Sequence, residues 1–279
     1  MRDDLAAATE TLARAGVETP RADAEWLLAG LLGVGRATLA LELESGLEAE
    51  MARRYAAAVR RRAGREPLQR ILGWEGFRGL RLRITPDVLV PRPETEMLVD
   101  WSLALVPSPR LAIDVGTGSG CIACSIATER PAARVVAVDS SSAAAAAAQA
   151  NAAALGLAER VSVVVGDLLA PVGGRGAADL VVANLPYIPT AMLPTLPPEV
   201  ARYEPEAALD GGDDGLRLIR RLIATARGGV TAGGALVVET AGGTQTAVVV
   251  ELMRTAGFVE VATRSDLLGV DRFVAGRCG

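Results

Sequence analysis

Four short apolar runs beyond residue 110 each end in a carboxylate or carboxamide: LAI before Asp114, RVVAV before Asp139, RVSVVVG before Asp167 and ADLVVA before Asn184. Continuous apolar runs of this length, bounded by turn residues, read as strands buried on both faces, the signature of a parallel sheet sandwiched by helices. In an open sheet of that kind the ligand crevice lies off the carboxyl ends of the strands. Each polar residue taken singly has an ordinary reading as a helix cap or turn residue. Four of them delivered to neighbouring strand ends point to a ligand edge.

The first run leads into DVGTGSG, Asp114 to Gly120, and then into the helix-like CIACSIATE. Glycines at 116, 118 and 120 let backbone approach a ligand closely. A dinucleotide turn would place its third glycine one residue later, where this chain has Cys121, and no GK[ST] follows to make a P-loop. Asp114 opposes a phosphate ligand by charge, whereas S-adenosylmethionine carries no phosphate and offers an ammonium and a sulfonium. Asp139 follows at the distance where a doubly wound fold presents a carboxylate to ribose hydroxyls. Asp167 is placed to accept from an adenine amine, and Leu168 to cover the ring. The candidate donor contacts are therefore Asp114, Gly116, Thr117, Gly118, Ser119, Gly120, Asp139, Asp167, Leu168 and Asn184.

Asn184 opens the tetrapeptide Asn184, Leu185, Pro186, Tyr187. An amide or aromatic amine nitrogen is a poor nucleophile because its lone pair is delocalised, so catalysis must come mostly from alignment with the methyl. The Asn184 side-chain oxygen and the Leu185 backbone carbonyl can each accept one N–H of a primary amide. Pro186 stiffens the turn, and Tyr187 offers a ring to stack on the flat group. The chain has no histidine, which removes the usual general base and most zinc sites; no metal is expected.

The segments PLQRILG (Pro67–Gly73), VPRPETE (Val90–Glu96), DVGTGSG, ANLPYIP and YEPEAALDGGDDGL (Tyr203–Leu216) together resemble the PrmC/HemK glutamine methyltransferases over nearly the whole chain. The resemblance implies an α/β class I methyltransferase, a seven-stranded doubly wound sheet with a small N-terminal helical bundle. It implies transfer of a methyl group from S-adenosylmethionine, leaving S-adenosylhomocysteine, to N5 of the glutamine in the GGQ loop of peptide chain release factors. Its donor contacts fall on Gly116 to Gly120, Asp139, Leu168 and Asn184, and its glutamine contacts on Asn184 to Tyr187. VPRPETE is expected to wall the glutamine pocket without a chemical step, its glutamates serving the helix dipole. Leu185 departs from the family's proline. VETAGGTQ, Val238 to Gln245, matches a later family segment only loosely and receives no catalytic role.

Alternatives stay open. NLPY also occurs in enzymes that dimethylate adenines of ribosomal RNA, which keeps an adenine-specific RNA or DNA N6-methyltransferase as a rival; a ribosomal-protein glutamine methyltransferase is closer still, and the altered tetrapeptide is compatible with a donor-binding scaffold. A net charge of −4 and a pI near 5.2 disfavour extended phosphate binding, so no stable nucleic-acid complex is expected. Boundaries are expected at 1–72 for a helical partner-binding domain, 73–88 for a linker hairpin and 89–279 for the methyltransferase domain. The arginines at 53, 54, 60, 61, 62 and 65 read as a solvated helix face. DGGDDG reads as a helix-capping loop, since Gly212 and Arg221 stand where a calcium loop needs ligands. Cys121 and Cys124 read as small packing residues. Three cysteines, no signal sequence and no membrane-length apolar run imply a reducing cytoplasm, and a monomer is expected.

Overall fold

The computed structural model describes residues 1–42, 46–172 and 178–279, which divide into two compact units: Met1–Trp74 with Leu196–Tyr203, and Glu75–Thr195 with Glu204–Gly279. In chain order the first part holds α1 (Arg2–Arg14), α2 (Pro20–Leu32), α3 (Arg36–Glu42), α4 (Ala49–Ala63) and α5 (Leu68–Leu72). There follow β1 (Trp74–Phe77), β2 (Leu80–Arg83), α6 (Pro93–Leu105), β3 (Leu111–Val115), α7 (Cys121–Glu129), β4 (Arg134–Asp139), α8 (Ser142–Ala154), β5 (Val161–Val165) and β6 (Ala178–Ala183). The chain closes with α9 (Pro198–Ala201), α10 (Arg217–Gly229), β7 (Val230–Glu239), α11 (Thr244–Thr255), β8 (Phe258–Ser265) and β9 (Asp271–Cys278).

In the first unit Leu5, Leu12, Leu27, Leu28 and Tyr55 are buried together, and the Tyr55 hydroxyl donates to the Ala24 carbonyl at 3.0 Å. Arg53, Arg54, Arg60 and Arg61 form the expected solvated face, whereas Arg62 and Arg65 depart from it. Arg62 is only 7% exposed, donates to Asp23 at 2.6 Å and reaches Glu199 of α9 at 3.0 Å, and Arg65 holds both Glu199 oxygens at 2.5 and 2.7 Å. Burial opposes the Glu199 charge, yet the two guanidiniums outweigh it and hold the carboxyl at about 2. This pairing explains why Leu196–Tyr203, a stretch that the sequence reading assigned to the methyltransferase domain, groups with the N-terminal helices.

The second unit is built on a seven-stranded sheet of order β5-β4-β3-β6-β7-β9-β8, in which β9 runs opposite to the other six strands. Its central strands are apolar on both faces because both are covered. Ala112, Leu180, Val182 and Val237 pack with α6 and α7, while Ile113, Val181, Ala183 and Val238 pack with α10 and α11. Ile219, Leu222, Ile223 and Ala226 recur at helical spacing and give α10 its buried stripe. Fully burying one such leucine contributes about 1.5–3 kcal/mol. Cys121 and Cys124 lie buried in α7 as packing residues.

The β1–β2 hairpin turns through Arg78 and Gly79, both at positive φ, which suits a two-residue turn. Glu96 of α6 accepts from the Arg78 backbone N–H at 2.8 Å, so one glutamate of VPRPETE anchors the hairpin besides complementing the helix dipole.

Candidate active site

The strand ends converge as expected of a doubly wound sheet. Leaving β3, the chain folds back so that the N–H groups of Gly116 and Thr117 both donate to the Val138 carbonyl, at 2.8 and 3.0 Å. Gly116, Gly118 and Gly120 all take positive φ, and nothing lies within 4 Å of where a Gly118 Cβ would stand. Asp139 locks the turn: one oxygen accepts from Gly118 N–H and the other from Ser141 N–H, each at 2.9 Å.

Gly116, Gly118, Asp139, Asp167, Leu168, Asn184, Leu185 and Pro186 line one cavity at this edge. Apolar wall comes from Leu89, Ala144, Ala208 and Leu218, of which only Ala208 lies within a quoted motif. Asp114, Thr117, Ser119 and Gly120 stand behind the turn and are not on its wall. Asp114 is wholly buried, accepts from Thr117 Oγ1 at 2.6 Å and from Ala123 N–H at 3.1 Å, and among the described residues no donor reaches its Oδ1. Burial, chiefly, pushes its carboxyl up to about 7. Asp167 is exposed and pairs with Arg221 of α10. Leu168 adopts φ +50°, a left-handed conformation costing a non-glycine residue roughly 1–2 kcal/mol, and so turns the chain at the cavity rim.

Asn184 follows the end of β6. Its Nδ2 donates to Thr95 Oγ1 at 2.9 Å, Thr95 donates to Glu239 Oε2 at 3.0 Å, and Glu239 Oε1 accepts from the Tyr187 hydroxyl at 3.3 Å. Among the described residues, no donor reaches Asn184 Oδ1. Tyr187 is absent from the cavity lining, its hydroxyl is turned to Glu239, and it packs against the core shared with α10 and α11. Glu239, at the end of β7, is 1% exposed, and burial foremost pushes its carboxyl up to about 7 against the opposing bonds from Thr95 and Tyr187. Burial likewise raises the Tyr187 phenol well above its ordinary value.

The loop is clamped from below. Gln245 Nε2 donates to the carbonyls of Tyr187 and Asp214, each at 2.9 Å, and Gly211 N–H donates to the Ile188 carbonyl at 2.8 Å. DGGDDG thus does more than cap α10; it is the seat on which the tetrapeptide rests.

A family model described as "PrmC N-terminal domain" matches residues 4–73, and one described as "Methyltransferase small domain" matches residues 95–192. Curated proteins named "Release factor glutamine methyltransferase" align along nearly the full chain. The one from Geobacter sulfurreducens is 44% identical over 96% of this chain and 93% of its own length. The one from Moorella thermoacetica is 45% identical over 92% of this chain and 90% of its own length. The chain belongs to the release factor glutamine methyltransferase family. Among solved structures, the hMettl16 catalytic domain in complex with MAT2A 3′UTR hairpin 1 covers 83% of this chain and 82% of that chain, with a TM-score of 0.61 at 16% identity, a likeness of fold alone.

Within this family Leu185 takes the place of the usual proline. Its side chain is 4% exposed and lies over the glycine turn, so that a Cβ on Gly116 would fall 2.8 Å from Leu185 Cδ2. Packing against Gly116 supplies rigidity where the proline ring is missing. Thr95, Glu239 and Gln245 are the residues that motif reading left without a role. Glu239 had a usable signal: ALVVE is a fifth apolar run ending in a carboxylate.

Proposed function

We propose that this chain transfers a methyl group from S-adenosylmethionine to the side-chain amide nitrogen of the glutamine in the GGQ loop of peptide chain release factors. Asn184 carries the proposal: its amide nitrogen is bound to Thr95, which leaves its oxygen as an acceptor at the cavity edge. The full-length similarity to release factor glutamine methyltransferases, including the N-terminal match, favours glutamine over adenine.

When bound, the donor supplies a sulfonium-activated methyl group. The residues suit such a ligand: a phosphate-free edge bearing carboxylates, a glycine turn open at Gly118 and a largely apolar wall. Asp139 keeps lone pairs on both oxygens for ribose hydroxyls. Leu168 covers the adenine, and Asp167, paired with Arg221 through Oδ2, offers its other oxygen to the adenine amine. Asp114 supports the turn through Thr117 and Ala123.

Asn184 Oδ1 and the Leu185 carbonyl each accept one N–H of the substrate carboxamide, which turns the face of its nitrogen toward the methyl. Alignment, worth several kcal/mol when both reactants are held, replaces base catalysis. The nitrogen sheds its proton to water after transfer, because an N-alkylated amide is strongly acidic while charged. Among the described residues no helix is long and apolar enough to cross a membrane, and the reaction is assigned to the cytoplasm, where release factors work.

Radiolabelled S-adenosylmethionine offered in parallel to a purified release factor and to bulk RNA tests the proposal. Label is expected in the factor. Label in RNA alone would reverse the assignment.

A further inference from the structure

A carboxamide has an accepting end and a donating end of nearly the same shape. Presented the wrong way round, Asn184 would aim N–H groups at the N–H groups of its substrate. Its bond to Thr95 does not settle the matter by itself, since a hydroxyl can accept from Nδ2 or donate to Oδ1 equally well. What settles it is the destination of the single Thr95 proton.

Thr95 is 2% exposed, in the first turn of α6, and Glu239 is 1% exposed, on the strand beside the one that leads to Asn184. Glu239 Oε2 lies 3.0 Å from Thr95 Oγ1, and Oε1 lies 3.3 Å from the Tyr187 hydroxyl. An ionised carboxylate only accepts, so it claims the proton of each hydroxyl. Thr95 is then left with lone pairs toward Asn184, and only Nδ2 satisfies them, at 2.9 Å. Leaving such buried groups mispaired is enough to bias the flip by about 5- to 100-fold.

We propose that Glu239 and Thr95 are positioning residues, a hydrogen-bond relay that fixes which end of the Asn184 carboxamide faces the substrate. The inference deepens the proposed function and rests on it. Arg272 of β9, Glu94 of α6 and the Tyr187 hydroxyl are the charged or titratable groups facing Glu239; burial and Glu94 raise its carboxyl while Arg272 and the hydroxyl bonds lower it. A protonated Glu239 can donate to Thr95, freeing the Thr95 proton for Asn184 Oδ1 and releasing the wrong orientation. Rate should therefore fall as pH drops through the Glu239 value of about 7.

Glu239→Gln keeps shape and packing but removes the acceptor-only character, because its amide pairs with Thr95 in either sense. Thr95→Val removes the relay, and Thr95→Ser restores it. The experiment measures kcat for methylation of a full-length release factor at saturating S-adenosylmethionine across pH, with donor Kd from calorimetry for each folded variant. Glu239→Gln and Thr95→Val are expected to lose about 10- to 100-fold in kcat with donor Kd unchanged. Glu239→Gln should also flatten the acidic limb, and Thr95→Ser should recover most of the rate lost in Thr95→Val. Wild-type kcat in either Glu239→Gln or Thr95→Val, or a loss matched by weakened donor binding, overturns the relay. A wild-type protein that leaves the factor unmethylated overturns the proposed function itself, a result distinguishable from active wild type with undiminished variants.

Discussion

Gly215 lies so close beneath Tyr187 that a Cβ on it would stand 2.1 Å from the Tyr187 carbonyl oxygen and 2.3 Å from Gln245 Nε2. Its φ of +78° is also one that side-chain-bearing residues rarely adopt. Gly215→Ala must therefore strain the backbone or displace the loop that carries Asn184. Unfolding in urea should show a loss of about 3 kcal/mol, and kcat should fall with it. Unaltered stability and rate would mean that the clamp under the tetrapeptide is slack.

Asn184→Ala removes one oriented acceptor from the reacting amide. By analogy with loss of a single oxyanion-hole donor, the expected cost is about 2.7–4 kcal/mol of transition-state stabilisation. The loss should appear in kcat at saturating donor and release factor, with the melting temperature little changed. An unchanged kcat would remove Asn184 from the chemistry.

Asp139→Ala takes away the ribose acceptor and also the group that holds Gly118 and Ser141 N–H at 2.9 Å. Hydrogen bonds to charged groups are worth about 1.5–3 kcal/mol, so donor Kd measured by calorimetry should rise roughly 10- to 100-fold. The rate at saturating donor should change much less. A kcat defect with normal donor affinity would assign Asp139 a different role.

Stability should respond to pH with opposite signs on the two sides of about pH 4. Burial raises Asp114 from 3.8 and Glu239 from 4.5, each to about 7, so the folded state holds extra protons between those limits. Their contribution is present at low pH and is lost as pH rises toward 7. Glu199, lowered from 4.5 to about 2 by Arg65 and Arg62 against its burial, contributes above 4.5 and loses that contribution as pH falls toward 2. Calorimetric melting should thus peak at about pH 4, higher than at pH 8 or pH 2. A midpoint that climbs steadily from pH 5 to pH 8 would contradict the raised values.

Much of the cavity edge was legible in the sequence because parallel strands buried on both faces leave continuous apolar runs, and the cavity lies where those runs end. Asp139 and Asn184 were found that way, as was the sheet with its closing antiparallel strands. The orienting network was not legible, because it is purely tertiary. Thr95 and Asn184 are 89 residues apart, and Thr95 and Glu239 are 144 apart, with no local spacing to advertise the pair. Arg62 and Arg65 looked like a solvated face for the same reason: their partner Glu199 lies more than 130 residues away, at separations of 137 and 134. The Tyr187–Glu239 bond was hidden too, since nothing in the tetrapeptide tells that its hydroxyl has a buried carboxylate to reach.

The most direct measurement is tandem mass spectrometry of a full-length release factor after incubation with this protein and S-adenosylmethionine. One added methyl on the side-chain nitrogen of the GGQ glutamine, strongly reduced with Asn184→Ala, is the expected result. A methyl group on any other residue, or none at all under conditions where the donor is bound, would contradict it.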